Sequence, residues 1–265
     1  MKKYVAFLLV ALAMLSLLVS CGKNGQGNQK SDLQIDETVT PTWERVISLD
    51  AKGEKQYFGD DLIYDYYTFE GVDSESIAIT GFYSQTQGKN TEEISYVRCL
   101  EPHAVIIPQT LAGKTVVRIN DEAFRQHDEI LYLGLPETLT YIGKYAFEEC
   151  SYLQGVTLPA SVAEIGQAAF YRCTGLRELN FAPTASLSVI PQAAFMECES
   201  LEEILLPGSI KTVEKAAFLN CTNVTLVTLN EGLETIGDQA FQNLNLAEKP
   251  VLPSTVKTVG AWNFE

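Results

Sequence analysis

The chain has 265 residues, 34 of them acidic and 19 basic, for a formal net charge of −15. A balance this acidic argues against nucleic acid or anionic lipid as a partner, because both need a basic footprint. It suits an exposed protein kept soluble by self-repulsion, and it is compatible with basic partners or divalent cations.

In chain order, Lys2 and Lys3 lead into an apolar run from Val5 to Val19. That is a signal-peptide pattern, shorter than the roughly 20 apolar residues a membrane-spanning helix prefers. It ends in Leu18-Val19-Ser20-Cys21, which resembles a bacterial lipobox. The resemblance implies cleavage before Cys21, lipidation of its thiol and a membrane-anchored, cell-surface protein. An ordinary signal peptide or an uncleaved anchor is the alternative. Removal of residues 1–20 takes two lysines and no acid, leaving 17 bases against 34 acids, a net −17. Residues 21–44 open on GKNGQGNQKSD, a polar tether expected to be flexible.

Residues 45–100 are expected to form an N-terminal cap. Asp61 to Phe69 and Ser76 to Tyr83 are two β-prone runs joined by EGVDSE, which predicts a hairpin. Such a hairpin would cover the open edge of the first coil of the repeats after it. The cluster Tyr57, Phe58, Tyr64, Tyr66 and Tyr67 reads as cap packing, with a binding patch as the alternative.

From residue 101 to 265 a phenylalanine recurs at Phe124, Phe147, Phe170, Phe195, Phe218, Phe241 and Phe264, in steps of 23 residues with one of 25. Self-similarity at this period predicts stacked repeats that share one core. Five residues before each Phe stands an aliphatic residue, from Ile119 to Val259. Alanine precedes Phe in every copy but the last, where Asn263 stands. Three residues after Phe runs a column of His127, Cys150, Cys173, Cys198, Cys221 and Leu244. A short alternating run comes next, with inward candidates such as Leu153, Val156 and Leu158. Proline closes it at Pro108, Pro136, Pro159, Pro207 and Pro253, with Asn230 once in its place, since proline has no N–H to give a ladder. Such strands stack in parallel about 4.8 Å apart, and the seven Phe rings form an internal spine. The two extra residues of the long repeat fall between Phe181 and Leu187, a loop position.

The phrase I-G-x-x-A-F-x-x-C-x-x-L-x-x-V-x-L-P resembles the BspA-like bacterial surface leucine-rich repeat family. Val105 to Phe124, with its G-K-x-V insertion, resembles the first repeat of such proteins. The resemblance covers about residues 62–265. It implies a right-handed leucine-rich repeat solenoid, with one short strand per repeat in a parallel β-sheet on one face and short helical or 3₁₀ turns on the other. It also implies a non-catalytic binding or adhesion module for a host or neighbouring-cell protein.

The cysteine column reads as buried free thiols, although export would permit disulfides between neighbouring coils. No C-x-x-C and no histidine cluster points to zinc. His127 reads as an inward residue, and Asp60-Asp61 and Glu202-Glu203 as solvated surface. No G-x-S-x-G, Gly-rich phosphate loop or H-E-x-x-H is present, so neither catalysis nor a cofactor is expected.

Two outer columns remain. One is Tyr132, Gly155, Glu178, Glu203, Leu226, Lys249; the other is Gly134, Thr157, Asn180, Leu205, Thr228, Val251. Repeat proteins bind on such extended surfaces, and Tyr132, Leu205 and Leu226 beside Glu178 and Glu203 form an apolar strip rimmed by acids. The candidate face is therefore Tyr132, Thr157, Glu178, Asn180, Glu203, Leu205, Leu226 and Thr228. A glycan partner is the alternative, and it would want aromatic platforms where the face offers only Tyr132. The sequence names nothing to cover the edge after Phe264, where fraying or self-association is the expectation.

Overall fold

The computed structural model describes residues 43–47, 57–58, 61–87, 97–98 and 102–264, with side chains for residues 67–82 and 102–264. The segment expected to be a signal peptide, Cys21, the expected tether, Cys99 and the side chains of Tyr57, Phe58, Tyr64 and Tyr66 lie outside the described residues.

The chain opens with β1 (Trp43–Ile47), β2 (Tyr57–Phe58), β3 (Asp61–Gly71), β4 (Ser76–Gln87) and β5 (Val97–Arg98). β3 and β4 form the expected antiparallel hairpin. Its turn is held by Asp73, whose carboxylate accepts the amides of Glu75 and Ser76 at 2.8 Å each. The Ser76 side chain and these amide bonds hold its acidity below the usual carboxylate range.

Next come β6 (His103–Ile106), β7 (Thr110–Leu111), β8 (Lys114–Ile119), β9 (Ile130–Gly134), β10 (Tyr141–Ile142) and β11 (Gly155–Leu158). After them stand β12 (Glu164–Ile165), β13 (Glu178–Phe181), β14 (Val189–Ile190) and β15 (Glu203–Leu205). The last are β16 (Thr212–Val213), β17 (Leu226–Thr228), β18 (Thr235–Ile236) and β19 (Thr258–Val259). Each coil as far as β18 thus carries two strands, not one. The longer strands stack in parallel as β6-β9-β11-β13 and β15-β17. The second ladder runs β8-β10-β12 and β14-β16-β18-β19, built of two-residue strands apart from β8, and β4 of the hairpin pairs in parallel with β8 to continue that ladder outward. The hairpin is a cap in the literal sense, because it supplies backbone partners to an edge that would otherwise be open.

Among the described residues there is no helix, so the helical or 3₁₀ turns implied by the family resemblance are corrected. In their place the segment around each Phe from Phe124 to Phe241 makes turns with left-handed backbone two residues before and two after the ring. Examples are Glu122 (φ 60) and Gln126 (φ 60), Ala168 (φ 54) and Arg172 (φ 58). A left-handed L-residue costs roughly 1–2 kcal/mol. The return is a third stack of coil-to-coil hydrogen bonds: the amides of Glu122, Phe124 and Gln126 donate to the carbonyls of Lys144, Ala146 and Glu148 at 2.8–2.9 Å. A helix would aim those amides along its own coil and leave the stack unpaired.

The interior follows the predicted columns. Phe124 through Phe241 are fully buried, as are the alanines from Ala146 to Ala240 that precede five of them. The rings stack at 4.9 to 5.5 Å between centroids, and Phe264 continues the stack at 5.2 Å. Asn263, the one departure from alanine, ties the last coil down. Its Oδ1 accepts the Phe241 amide at 3.0 Å, and its Nδ2 donates to the carbonyls of Gly237 and Gly260. Asn230, where proline is expected, donates its side-chain amide to the Leu206 carbonyl.

The two-residue insertion between Phe181 and Leu187 does more than lengthen a loop. Neither β12 and β14 nor β13 and β15 pair as strands across it, so both ladders carry a seam at the same level. The Phe stack crosses that seam intact, with Phe170 and Phe195 at 5.3 Å and nearly parallel.

Candidate binding face

The longer strands place the candidate residues by simple alternation. Leu133, Val156, Leu179, Ile204 and Val227 are buried, so their neighbours on each side point away from the core. Backbone register aligns the columns: Tyr132 pairs with Gly155 and Gly155 with Glu178, while Thr157 pairs with Asn180. Beyond the seam Glu203 pairs with Leu226 and Leu205 with Thr228. The face is therefore two panels, one centred on Tyr132, Thr157, Glu178 and Asn180, the other on Glu203, Leu205, Leu226 and Thr228.

Lys249 and Val251, which the spacing assigns to the same columns, leave the sheet. No strand forms between Phe241 and β19, because Pro250 stands where Val227 stands one coil earlier and has no amide to donate. Ala247 replaces Val224 in the same register and is exposed. The segment therefore lacks both the ladder donor and the apolar anchor that hold the earlier strands down.

Tyr132 is half-buried, and its hydroxyl donates to Gln154 Oε1 at 2.8 Å. Burial, and secondarily Glu178, pushes its phenol up. It is a tethered group and not a free platform. Ile106 of β6 was not legible as part of this face. Its Cδ1 lies 2.6 Å from where a side chain on Gly134 would begin, so it lies over that glycine and remains 37% exposed. The only sequence signal for it is the alternation around buried Val105.

The opposite side of the coil differs in kind. On the turns, Gln126 donates to Glu149 at 2.7 Å, Arg172 bridges Glu149 at 3.0 Å and Glu197 at 3.2 Å, and Asn243 donates to Asn220 at 2.7 Å. The Gln126 bond, with Arg172, holds the Glu149 carboxyl below its ordinary range. Arg125 meets Glu148 at 2.6 Å, yet burial still raises the Glu148 carboxyl. Exposed pairs of this type add little stability, but they occupy one another. By contrast, Asn180, Glu203 and Thr228 make no side-chain hydrogen bond or ion pair among the described residues.

The column cysteines are core residues, and His127 is part-buried. Cys150, Cys173, Cys198 and Cys221 are free, fully buried thiols. His127 packs its ring 5.2 Å from Phe82 and sets Nδ1 2.8 Å from buried Glu129. Phe82, outside the repeats, stacks 5.0 Å from Phe124 and so begins the spine; no spacing rule reveals it. No group of three or more His, Cys, Asp or Glu among the described residues is placed to hold a metal ion. No helix among them is long and apolar enough to cross a membrane.

A sequence profile of the BspA type leucine-rich repeat region, in six copies, matches residues 99–187, 117–247 and 188–265. The chain belongs to the BspA-type leucine-rich repeat family. Among solved structures, it is similar to a leucine-rich cell surface protein from Faecalibacterium prausnitzii: 23% identity, TM-score 0.60, with 79% of this chain and 51% of that one covered. A leucine-rich repeat protein of T. pallidum shares 25% identity at TM-score 0.51, covering 67% of this chain and 86% of that one. One from Eubacterium ventriosum shares 23% at TM-score 0.50, with 60% and 45% covered. The chain thus spans about half the length of the F. prausnitzii protein, and that likeness is one of fold. No curated protein sequence matches. Members of this BspA-type family are repeat scaffolds of the binding class, usually displayed at the cell surface.

Proposed function

We propose that this protein is a lipoprotein, anchored through Cys21, that displays its solenoid at the cell surface as an adhesion module for a host or neighbouring-cell protein. One observation carries the reading. The outward columns present Leu226, 46% exposed, as the register neighbour of Glu203, with Leu205 two residues along the Glu203 strand; Glu203 makes no side-chain hydrogen bond or ion pair among the described residues, while the polar groups of the turn side engage one another. An apolar strip rimmed by acids is the pattern of an interaction surface. Contact at many points along a rigid array needs no cofactor.

The test is parallel binding of the full chain to extracellular-matrix proteins and to a glycan panel. Saturable protein binding that Leu205→Arg abolishes is the expected result. Binding to glycans alone overturns the reading in favour of polysaccharide capture. Cys21→Ser is expected to release the chain from the membrane fraction; retention there would remove the lipid anchor from the proposal.

A further inference from the structure

Both strand ladders part at one level, and each break has a cause in the chain. In the shorter-strand ladder a series of amides reaches back one coil. Gly143 donates to Ile119, Gly166 to Ile142, Glu214 to Ile190 and Gly237 to Val213, at 2.7 to 2.8 Å. The member of that series between Gly166 and Glu214 is Pro191, which has no amide proton. Beside it Thr140 donates to Val117, Ala163 to Thr140, Lys211 to Ser188 and Glu234 to Lys211, at 2.8 to 3.0 Å. There the insertion shifts the register, and Ser186 donates to Ala160 at 3.1 Å. In the longer-strand ladder β13 and β15 do not pair. The Glu202 amide reaches Arg177 at 3.3 Å, where those of Arg177 and Thr225, one coil to either side, reach their acceptors at 2.9 and 3.0 Å.

The turn side keeps its stack at the same level. The amides of Ala168, Phe170 and Arg172 donate across it to Gln192, Ala194 and Met196 at 2.9 to 3.0 Å, and Arg172 bridges across it to Glu197. Between the two sides the core is closed, with Ile165, Leu179, Ile190 and Ile204 all buried. Apolar contact is non-directional, so it tolerates a small change of angle that a hydrogen-bonded ladder resists.

We infer that the seam is a joint. Its axis follows the turn stack and the Phe170–Phe195 pair, and the strand sides of residues 102–181 and 187–264 open and close about it by a small angle. The panel of Tyr132, Thr157, Glu178 and Asn180 thereby tilts against the panel of Glu203, Leu205, Leu226 and Thr228. One face then fits partner surfaces of different curvature. That use of the joint rests on the face being the binding surface; the joint itself does not.

Residue-resolved hydrogen exchange of the full chain tests the joint without a partner. The amides of Ser186 and Glu202, bonded across the seam on the strand side, are expected to exchange about tenfold or more faster than those of Arg177 and Thr225. The Phe170 amide, bonded across it on the turn side, is expected to match Phe147 and Phe218. Deletion of Pro183 and Thr184 together with Pro191→Gly restores the 23-residue spacing and the missing donor, and Glu202 is expected to slow to the rate of Thr225. Equal rates at Glu202 and Thr225 in the parent chain overturn the inference, because the seam is then held as firmly as the rest. Fast exchange at Phe170 also overturns it, because the two blocks then separate outright. So does a deletion variant that folds and leaves Glu202 fast. The expected pattern supports the joint even where Leu205→Arg leaves protein binding unchanged, a result that fails the reading of the face alone.

Discussion

The thiol of Cys150 donates to the main-chain carbonyl of Phe124, one coil earlier, across 3.0 Å. The same bond joins Cys173 to Phe147 at 3.1 Å, Cys198 to Phe170 at 3.3 Å and Cys221 to Phe195 at 3.2 Å. The column therefore asks for more than a small apolar volume: it asks for a donor. Leu244, which lacks one, stands in the coil where the longer strand is lost.

Cys173→Ala should destabilise the fold by about 0.5–1.5 kcal/mol, the net worth of one hydrogen bond, since the Phe147 carbonyl still accepts the Cys150 amide at 3.3 Å. Cys173→Ser, which keeps a donor, should recover much of that loss. Urea unfolding of the two variants checks this, and equal midpoints would reduce the column to packing alone.

Burial pushes these thiols up, Cys221 to about 12 from an ordinary value of 9.0. A folded-state pKa above the unfolded one means the stability is fully present below about pH 9. It is lost as pH climbs from 9 toward 12, because the unfolded chain releases thiol protons first. Thermal melts across that window should show a fall that is shallower in Cys221→Ser. Thiol-reactive dye should label the four cysteines only on unfolding.

Phe195 is fully buried between Phe170 and Phe218, at 5.3 Å from each and within 8° of parallel. Phe195→Ala should cost about 3–5 kcal/mol. Phe264 touches a ring on one side only among the described residues, and Phe264→Ala should cost far less. Equal melting temperatures for the two would discard the spine.

Gly166 and Gly155 separate two roles of glycine. A Cβ at Gly166 would lie 2.4 Å from the Lys144 amide nitrogen, while one at Gly155 would meet nothing nearer than 3.7 Å. Gly166→Ala should therefore destabilise by about 1–3 kcal/mol or more, since backbone must move. Gly155→Ala should stay within about 0.5 kcal/mol. Calorimetric melting of both variants is the measurement.

Much of this molecule was legible from spacing alone. A period of 23 residues dictates stacking, and alternation around Leu153, Val156 and Leu158 dictates which side chains enter the core, because a 23-residue unit cannot bury its apolar side by itself. The candidate columns obeyed the same rule as far as Thr228. They failed at Lys249 and Val251, where Pro250 and Ala247 withdraw the donor and the anchor. The features that the tertiary structure alone decided are of another kind. Thr235–Ile236 and its equivalents are too short to show a strand period, and they become strands only when a neighbouring coil supplies hydrogen-bond partners. The left-handed residues flanking each Phe are tolerated for the same reason. Phe82 joins the spine only because the hairpin lays β4 against β8. The seam after Phe181 is a property of two ladders at once. Local pattern determines which face of each coil is apolar; pairing between coils is non-local, and it determines where the ladders run and where they break.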